Sequence, residues 1–170
     1  MREELDNKLC EKYPLIFRDR HGDMSKTCMC WGFACADGWY DIVNNLCSTI
    51  QNHIDNRNEQ IEWTKKWNDK VNDDDLEWES FADREEREIP EPVEQVVAIQ
   101  VKEKFGGLRF YYRGGDDFIR GAVRLAENMS YNTCEECGNT GIFTNNNGWY
   151  RTLCVEHGGK RGTVDDEENL

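Results

Sequence analysis

Cys134-Glu-Glu-Cys137-Gly138 is followed by Cys154-Val-Glu-His157, which makes a CxxCG…CxxH pattern. A CxxC run closed by glycine can turn as a tight knuckle with both thiolates aimed at one ion. A second pair at this distance completes a tetrahedral shell for Zn2+. The competing chemistry for the same residues is a disulfide or a set of buried thiols. The start of the chain, MREELDNKL, has no apolar run of a secretory signal, so a reducing compartment is expected and Zn2+ preferred. Cys134, Cys137, Cys154 and His157 are therefore expected to hold one ion. Four protein ligands leave no position for water, so that ion would be structural rather than hydrolytic.

Cys28, Cys30 and Cys35, with His21 or Cys47 nearby, are a weaker set for a second ion. Cysteine packs readily as a small hydrophobe, and core burial is the preferred reading. Catalytic groups are thin. Asp37, Asp41, His21 and Glu103 are available, but no nucleophile and base stand at a telling spacing. CxxC…CxxH also occurs in HNH-type nucleases, which need a histidine beside the finger; His21 and His53 lie far upstream. No enzyme is expected.

The second chemical feature is cationic. Residues 93–133 carry six Lys and Arg against five acids in a chain whose net charge is −13. Lys102, Lys104, Arg109, Tyr111 and Arg113 alternate with apolar residues around Gly106-Gly107. Arginine forks hold phosphate or carboxylate through paired hydrogen bonds, lysines add point charge, and Tyr111 offers a stacking face. A small anionic, nucleotide-like ligand or an acidic loop of a partner would suit them. The plainer alternative is that these cations blunt a sheet edge or pair with nearby acids. Gly38-Trp39-Tyr40, at an expected helix start, could add amides and rings to such a site; core packing is the competing role for those aromatics.

Elements must place these groups. Leu5, Leu9 and Cys10 recur at helical spacing over residues 3–12, ending before Tyr13-Pro14. Residues 15–37 lack a period and read as ordered irregular chain packed by aromatics. Ile42, Val43, Leu46, Cys47, Ile50 and Ile54 mark the surest helix; whether it continues through Ile61, Trp63, Trp67 and Val71 as one helix or two is open at Asp55–Asn58. The period then changes. Val97, Ile99 and Val101, and after the glycines Leu108, Phe110 and Tyr112, alternate as strands of a hairpin. With Gly106-Gly107 central, Phe105 would face Leu108 on a core face, and Lys104 would face Arg109 on the open one. Asp116 then caps a helix whose Phe118, Ile119, Ala122, Val123, Ala126 and Met129 would cover the hairpin. Between the metal pairs a second hairpin is expected, turning at 145–148 with Trp149 near the ion.

The chain has 170 residues, room for one domain with a small metal-held appendage. Its 34 acids against 21 Lys and Arg disfavour general nucleic-acid binding, and no apolar run could span a membrane. Residues 72–91 are densely acidic: an exposed insertion is expected, and a docking or nucleic-acid-mimicking surface is the sharper alternative.

The runs WGFACADGWYDIVNNLC, QVKEKFGGLRFYYRGG, AENMSYNTCEECGNTG and GWYRTLCVEH together resemble a widespread group of small, uncharacterised accessory proteins of bacteriophages and prophages. The resemblance covers about two thirds of the chain and implies action in the host bacterial cytoplasm. It carries no catalytic assignment. The expectation is an α+β fold with helices packed on a hairpin over 1–133, a structural zinc finger over 134–158 and an acidic, disordered tail over 159–170. The expected role is counter-defence by sequestering a nucleotide-like ligand; the competing role is inhibition of a host protein through residues 72–91.

Overall fold

A computed structural model gives the architecture and describes residues 1–72, 85–146 and 148–159. Among the described residues the fold is α+β: three α-helices and two separate two-stranded antiparallel sheets. Helix α1 (Glu3–Lys12) carries Glu3, Glu4 and Asp6 in its first turn and Lys12 in its last, the polarity its dipole favours. Asp6 is nearly fully buried and takes a two-pronged ion pair from Arg20, at 2.8 and 3.0 Å, which ties α1 to the irregular stretch beyond it. That stretch is ordered as expected, with Phe17 edge-on to Phe33 at 5.0 Å between ring centres.

Helix α2 (Tyr40–Val71) is continuous over 32 residues. Asp55–Asn58 does not interrupt it, because it holds neither Gly nor Pro and Gln51 hydrogen-bonds Asp55 one turn on. The first half buries Ile42, Val43, Leu46, Cys47, Ile50 and Ile54, whereas only Ile61 and Thr64 are buried beyond them. The outer half thus projects past the main core.

Strands β1 (Val97–Lys104) and β2 (Gly107–Arg113) form the expected hairpin in a different register. Lys104 faces Gly107 and Lys102 faces Arg109, so the turn is centred on Phe105-Gly106. Both have positive φ, +54° and +76°, as a primed two-residue turn demands. The shift from the expected register is two residues, which leaves the side chains between the bulge and the turn on their expected faces. Beyond a bulge between Ala98 and Gln100 the pairing slips by one, and Val97 and Ala98 are both fully buried. Phe105 is corrected from core to turn: it is 62% exposed.

Helix α3 (Asp117–Ser130) packs on α2 and β2 and buries Ile119, Val123 and Ala126. Phe118 and Met129, expected on that face, are instead about half exposed. Two polar residues of α3 serve the outer edge of β2. Ser130 Oγ accepts the Leu108 N–H at 2.8 Å and Glu127 Oε1 the Phe110 N–H at 3.0 Å, satisfying donors that would otherwise be stranded. Along β1, Ala34 bridges the opposite edge through its N–H to Val101 and its carbonyl from Glu103.

Asp116 caps α3 as expected, accepting the Ile119 N–H at 3.1 Å, and meets His53 of α2 at 2.8 Å. Burial pushes its carboxyl up, but the hydrogen bonds from His53 and the first-turn amides outweigh this and hold it below the ordinary carboxylate range. A depressed acid stabilises the fold above its unfolded pKa, and that contribution is lost as pH falls through the folded value. Asp116→Ala is expected to cost about 1 kcal/mol at neutral pH, read from urea midpoints. Its deficit against the parent should shrink as pH drops below about 4.

Strands β3 (Ile142–Asn146) and β4 (Trp149–Leu153) make the second hairpin, with Asn146 facing Trp149. Among the described residues no helix is long and apolar enough to cross a membrane. Most of the acidic stretch 72–91 and nearly all of the tail 159–170, expected to be disordered, lie outside the described residues. Residues 85–91 are described and run back along α2. Asn68 and Arg87 exchange hydrogen bonds at 2.8 and 2.9 Å, and the Arg87 guanidinium lies 4.7 and 4.5 Å from the Trp63 and Trp67 ring centres.

Candidate functional site

The knuckle Cys134–Gly138 closes by the Gly138 N–H to the Cys134 carbonyl at 2.9 Å, with Gly138 at φ +79°. The second pair sits on a short turn after β4, closed by the His157 N–H to the Cys154 carbonyl at 3.0 Å. The Glu135 N–H joins the two by donating to the Thr152 carbonyl at 2.9 Å. As a result the donor atoms of Cys134, Cys137, Cys154 and His157 all lie within 4.8 Å of one another.

A tetrahedral ion with bonds of about 2.0–2.3 Å spaces its donors by about 3.5–3.8 Å. Cys137 Sγ and Cys154 Sγ are 3.7 Å apart, and His157 Nδ1 is 3.6 Å from Cys134 Sγ and 3.1 Å from Cys154 Sγ. The four residues fit a metal ion. Burial pushes the Cys134 thiol up, but amide hydrogen bonds from Cys154, Cys137 and Glu136 outweigh it and bring the thiol down from 9.0 to about 7. That favours the thiolate a metal requires. Among the described residues no second group of this kind gathers around Cys28, Cys30 and Cys35; Cys35 and Cys47 are buried in the core.

The knuckle is also docked on the body. The Gly38 N–H donates to the Glu135 carbonyl at 2.7 Å, and the Ala36 N–H to the Glu135 carboxylate at 3.2 Å. The start of α2 is thus covered rather than open to an anion. Trp39, expected as a ligand contact, is corrected: it is fully buried, and its indole N–H donates to the Thr133 carbonyl at 2.9 Å. Tyr40 is half-buried with the Lys8 ammonium 5.7 Å from its ring centre, and it borders a polar basin shared with Asp37 and Glu136.

The cations share a face but have separate duties. Arg113 pairs with Asp19 at 2.9 Å. Arg109 donates to the Leu108 carbonyl at 2.7 Å and to the Tyr131 hydroxyl at 2.6 Å, with its guanidinium 5.6 Å from the Tyr131 ring centre. Lys102 lies 5.8 Å from the ring centre of the exposed Tyr111. Only Lys104 of the five lines the cavity described next.

Where the two hairpins meet, the first turn is pressed on the finger. The Thr152 hydroxyl donates to the Gly106 carbonyl at 2.6 Å. A Cβ on Gly106 would sit 2.7 Å from the Phe143 ring, and one on Gly107 would collide with the ring of Tyr131. Gly106 serves the turn and this contact; Gly107 serves the contact alone. Beside them Glu103, Lys104, Phe105, Gly148, Trp149 and Tyr150 line a cavity of about 340 Å3. Phe105 is edge-on to Tyr150 at 6.2 Å, Tyr150 stacks on Phe143 at 5.6 Å, and Trp149 is 79% exposed. Trp149, expected near the ion, stands at the far end of its hairpin. Phe105, Trp149 and Tyr150 escaped sequence reasoning as a group because their nearness depends on the docking of two hairpins.

No protein-family model, curated protein or solved structure matches the chain.

Proposed function

We propose that this chain is a zinc-stabilised binding protein that captures a small, planar, anionic ligand of nucleotide type where its two hairpin tips meet. The observation that carries the reading is Phe105. A phenylalanine at φ +54° is strained by roughly 1–2 kcal/mol, and this one also leaves most of its ring in water. A turn selected for stability would place Asn or Gly there. Phe105, Trp149 and Tyr150 offer stacking faces, and the Lys104 ammonium, exposed 5.5 Å from the Phe105 ring centre, offers charge for a phosphate. Lys102, Arg109 and Tyr111 extend the same hairpin face and favour an anion there. In the ion shell, three thiolates and one imidazole suit Zn2+ and leave it a structural role. In keeping with the resemblance of its motifs to phage accessory proteins, the proposed role is inside an infected bacterium, where sequestering a nucleotide signal would blunt defence.

The test is thermal shift and calorimetry with cyclic dinucleotides and ADP-ribose. A ligand at a hundredfold its Kd stabilises the native state by about 2.7 kcal/mol, a clear rise in Tm. Stacking on one ring is worth about 1–3 kcal/mol, so Trp149→Ala should weaken binding by roughly 5- to 150-fold. Phe105→Gly should weaken binding without loss of stability. The reading fails if no nucleotide raises Tm, or if a Lys104→Ala, Trp149→Ala double variant binds as the parent does.

A second reading, docking on a host protein through residues 72–91, is favoured by the pinning of 85–91 on α2. The Arg87 stack and its Asn68 hydrogen bonds fix one end of the acidic stretch beside the projecting half of that helix. Deleting 73–84 should abolish the biological effect under this reading and leave nucleotide binding intact.

A further inference from the structure

Helix α3 carries two apolar stripes rather than one. Ile119, Val123, Ala126 and Ser130 face the core, while Phe118, Ala122, Leu125 and Met129 recur at i, i+4, i+7 and i+11 on another side. Leu125 is 62% exposed and Met129 50%, and neither is needed to cover the hairpin. With Ile42 and Leu46 of α2, the residues Ala122, Leu125 and Met129 of this stripe line a groove of about 330 Å3 that also reaches Thr133 and Gly138, while Phe118 stacks on His53 at 4.3 Å outside it. A third helix laid between two packed helices would complete a small bundle, with apolar side chains at helical spacing entering the groove.

Charge indicates which helix would fit. Gly38, Asp41 and Gly138 line both this groove and the polar basin that also holds Asp37 and Glu136. Asp37 is paired with Arg2 and Glu136 with Arg151. Asp41 is exposed and, among the described residues, has no hydrogen-bonding or ionic partner. An unpaired carboxylate therefore stands where the apolar trough opens into the polar basin, whose other two carboxylates are already paired with arginines. A second copy would bring another −13 to this contact, and an acidic partner would be repelled in the same way. We infer that the α2–α3 groove docks a basic amphipathic helix of a partner protein, its apolar side against Leu125 and Met129 and a lysine or arginine at Asp41. This site is separate from the hairpin-tip cavity and does not rest on the nucleotide reading.

The probe is a labelled synthetic 16-residue peptide with leucines at i, i+4, i+7 and i+11 and lysines on its other faces, titrated into the full chain. Its counterpart has glutamate for every lysine. One-to-one binding of the lysine peptide is expected, with amide shifts at Leu46, Ala122 and Leu125, at least tenfold loss in Leu125→Glu and severalfold loss in Asp41→Asn. The glutamate peptide should not bind. Leu125 and Asp41 are exposed, and circular dichroism would verify that both variants stay folded. Equal binding by parent and Leu125→Glu would overturn the proposal, since the peptide would then be held by acidic surface elsewhere. A dimer in sedimentation that Leu125→Glu dissolves would also overturn it, by making a second copy the occupant.

Discussion

Removing the metal, by chelation or by Cys137→Ser, is expected to unfold residues 133–159 and to leave α1, α2 and the first hairpin folded but less stable. The finger has almost no core of its own: Cys134, Leu153 and Cys154 form its only cluster among the described residues, and two of those three are ligands. Structural zinc in small finger peptides contributes about 10–16 kcal/mol of apparent binding free energy, comparable with or larger than the 5–15 kcal/mol that keeps a whole domain folded. Without the ion, three close thiol or thiolate groups and an imidazole have nothing to hold them together. The body would feel the loss because Gly38, Trp39 and Gly106 all hydrogen-bond to the finger or its approach. One equivalent of zinc by elemental analysis and collapse of amide protection at Glu135 and His157 in Cys137→Ser are the measurements. Unchanged protection at those amides would mean that packing, not an ion, holds the finger.

Gly38→Ala should be a highly damaging small substitution through packing alone. A Cβ there would collide with the Cys134 carbonyl oxygen and sit 2.6 Å from the Cys137 nitrogen. Both are backbone atoms of the knuckle and cannot rotate aside as a side chain would. Either the knuckle separates from α2, losing the Gly38–Glu135 hydrogen bond, or the ligand geometry distorts. Overpacking at its upper end costs about 3 kcal/mol, which for a chain of this size is a fall in Tm of roughly 6–12 °C. Gly121→Ala is the control. Its added Cβ meets nothing within 4 Å on an exposed helix face, and it should stabilise by about 0.5–1 kcal/mol. Equal effects of the two substitutions would sink this account of the dock.

Several sequence runs find their explanation in that same docking. In FGGLRFY, Gly106 and Gly107 admit Phe143 and Tyr131 of the finger side, while Leu108 and Phe110 fill the core. In AENMS, Glu127 and Ser130 satisfy the outer edge of β2. What the two hairpin tips do not spend on the core is Lys104, Phe105, Tyr111 and Trp149, which are exposed.

Local chemistry was enough to gather Cys134, Cys137, Cys154 and His157 into one possible metal site, because a CxxCG knuckle and a CxxH turn each close within four residues. It was enough also for α1, the first half of α2, the Asp116 cap and the faces of Val101, Leu108 and Phe110, since helical and alternating periods are properties of neighbouring positions; the bulge that buries Ala98 was not legible there. The turn centre differs from the expected one because Gly106-Gly107 suits a two-residue turn locally better than Phe105-Gly106, whose Phe105 takes a strained positive φ. What distinguishes them lies far off in the chain: Phe143 packs against Gly106 and Tyr131, at the end of α3, against Gly107. Trp39 went into the core for a similar reason: a tryptophan beside a helix start is equally suited to ligand or packing until Thr133 is seen to accept its N–H. The aromatic cavity, the covered start of α2 and the second stripe of α3 were decided by tertiary structure alone. Each is a relation between segments far apart in the chain, and only the packing of apolar surface brings those segments together.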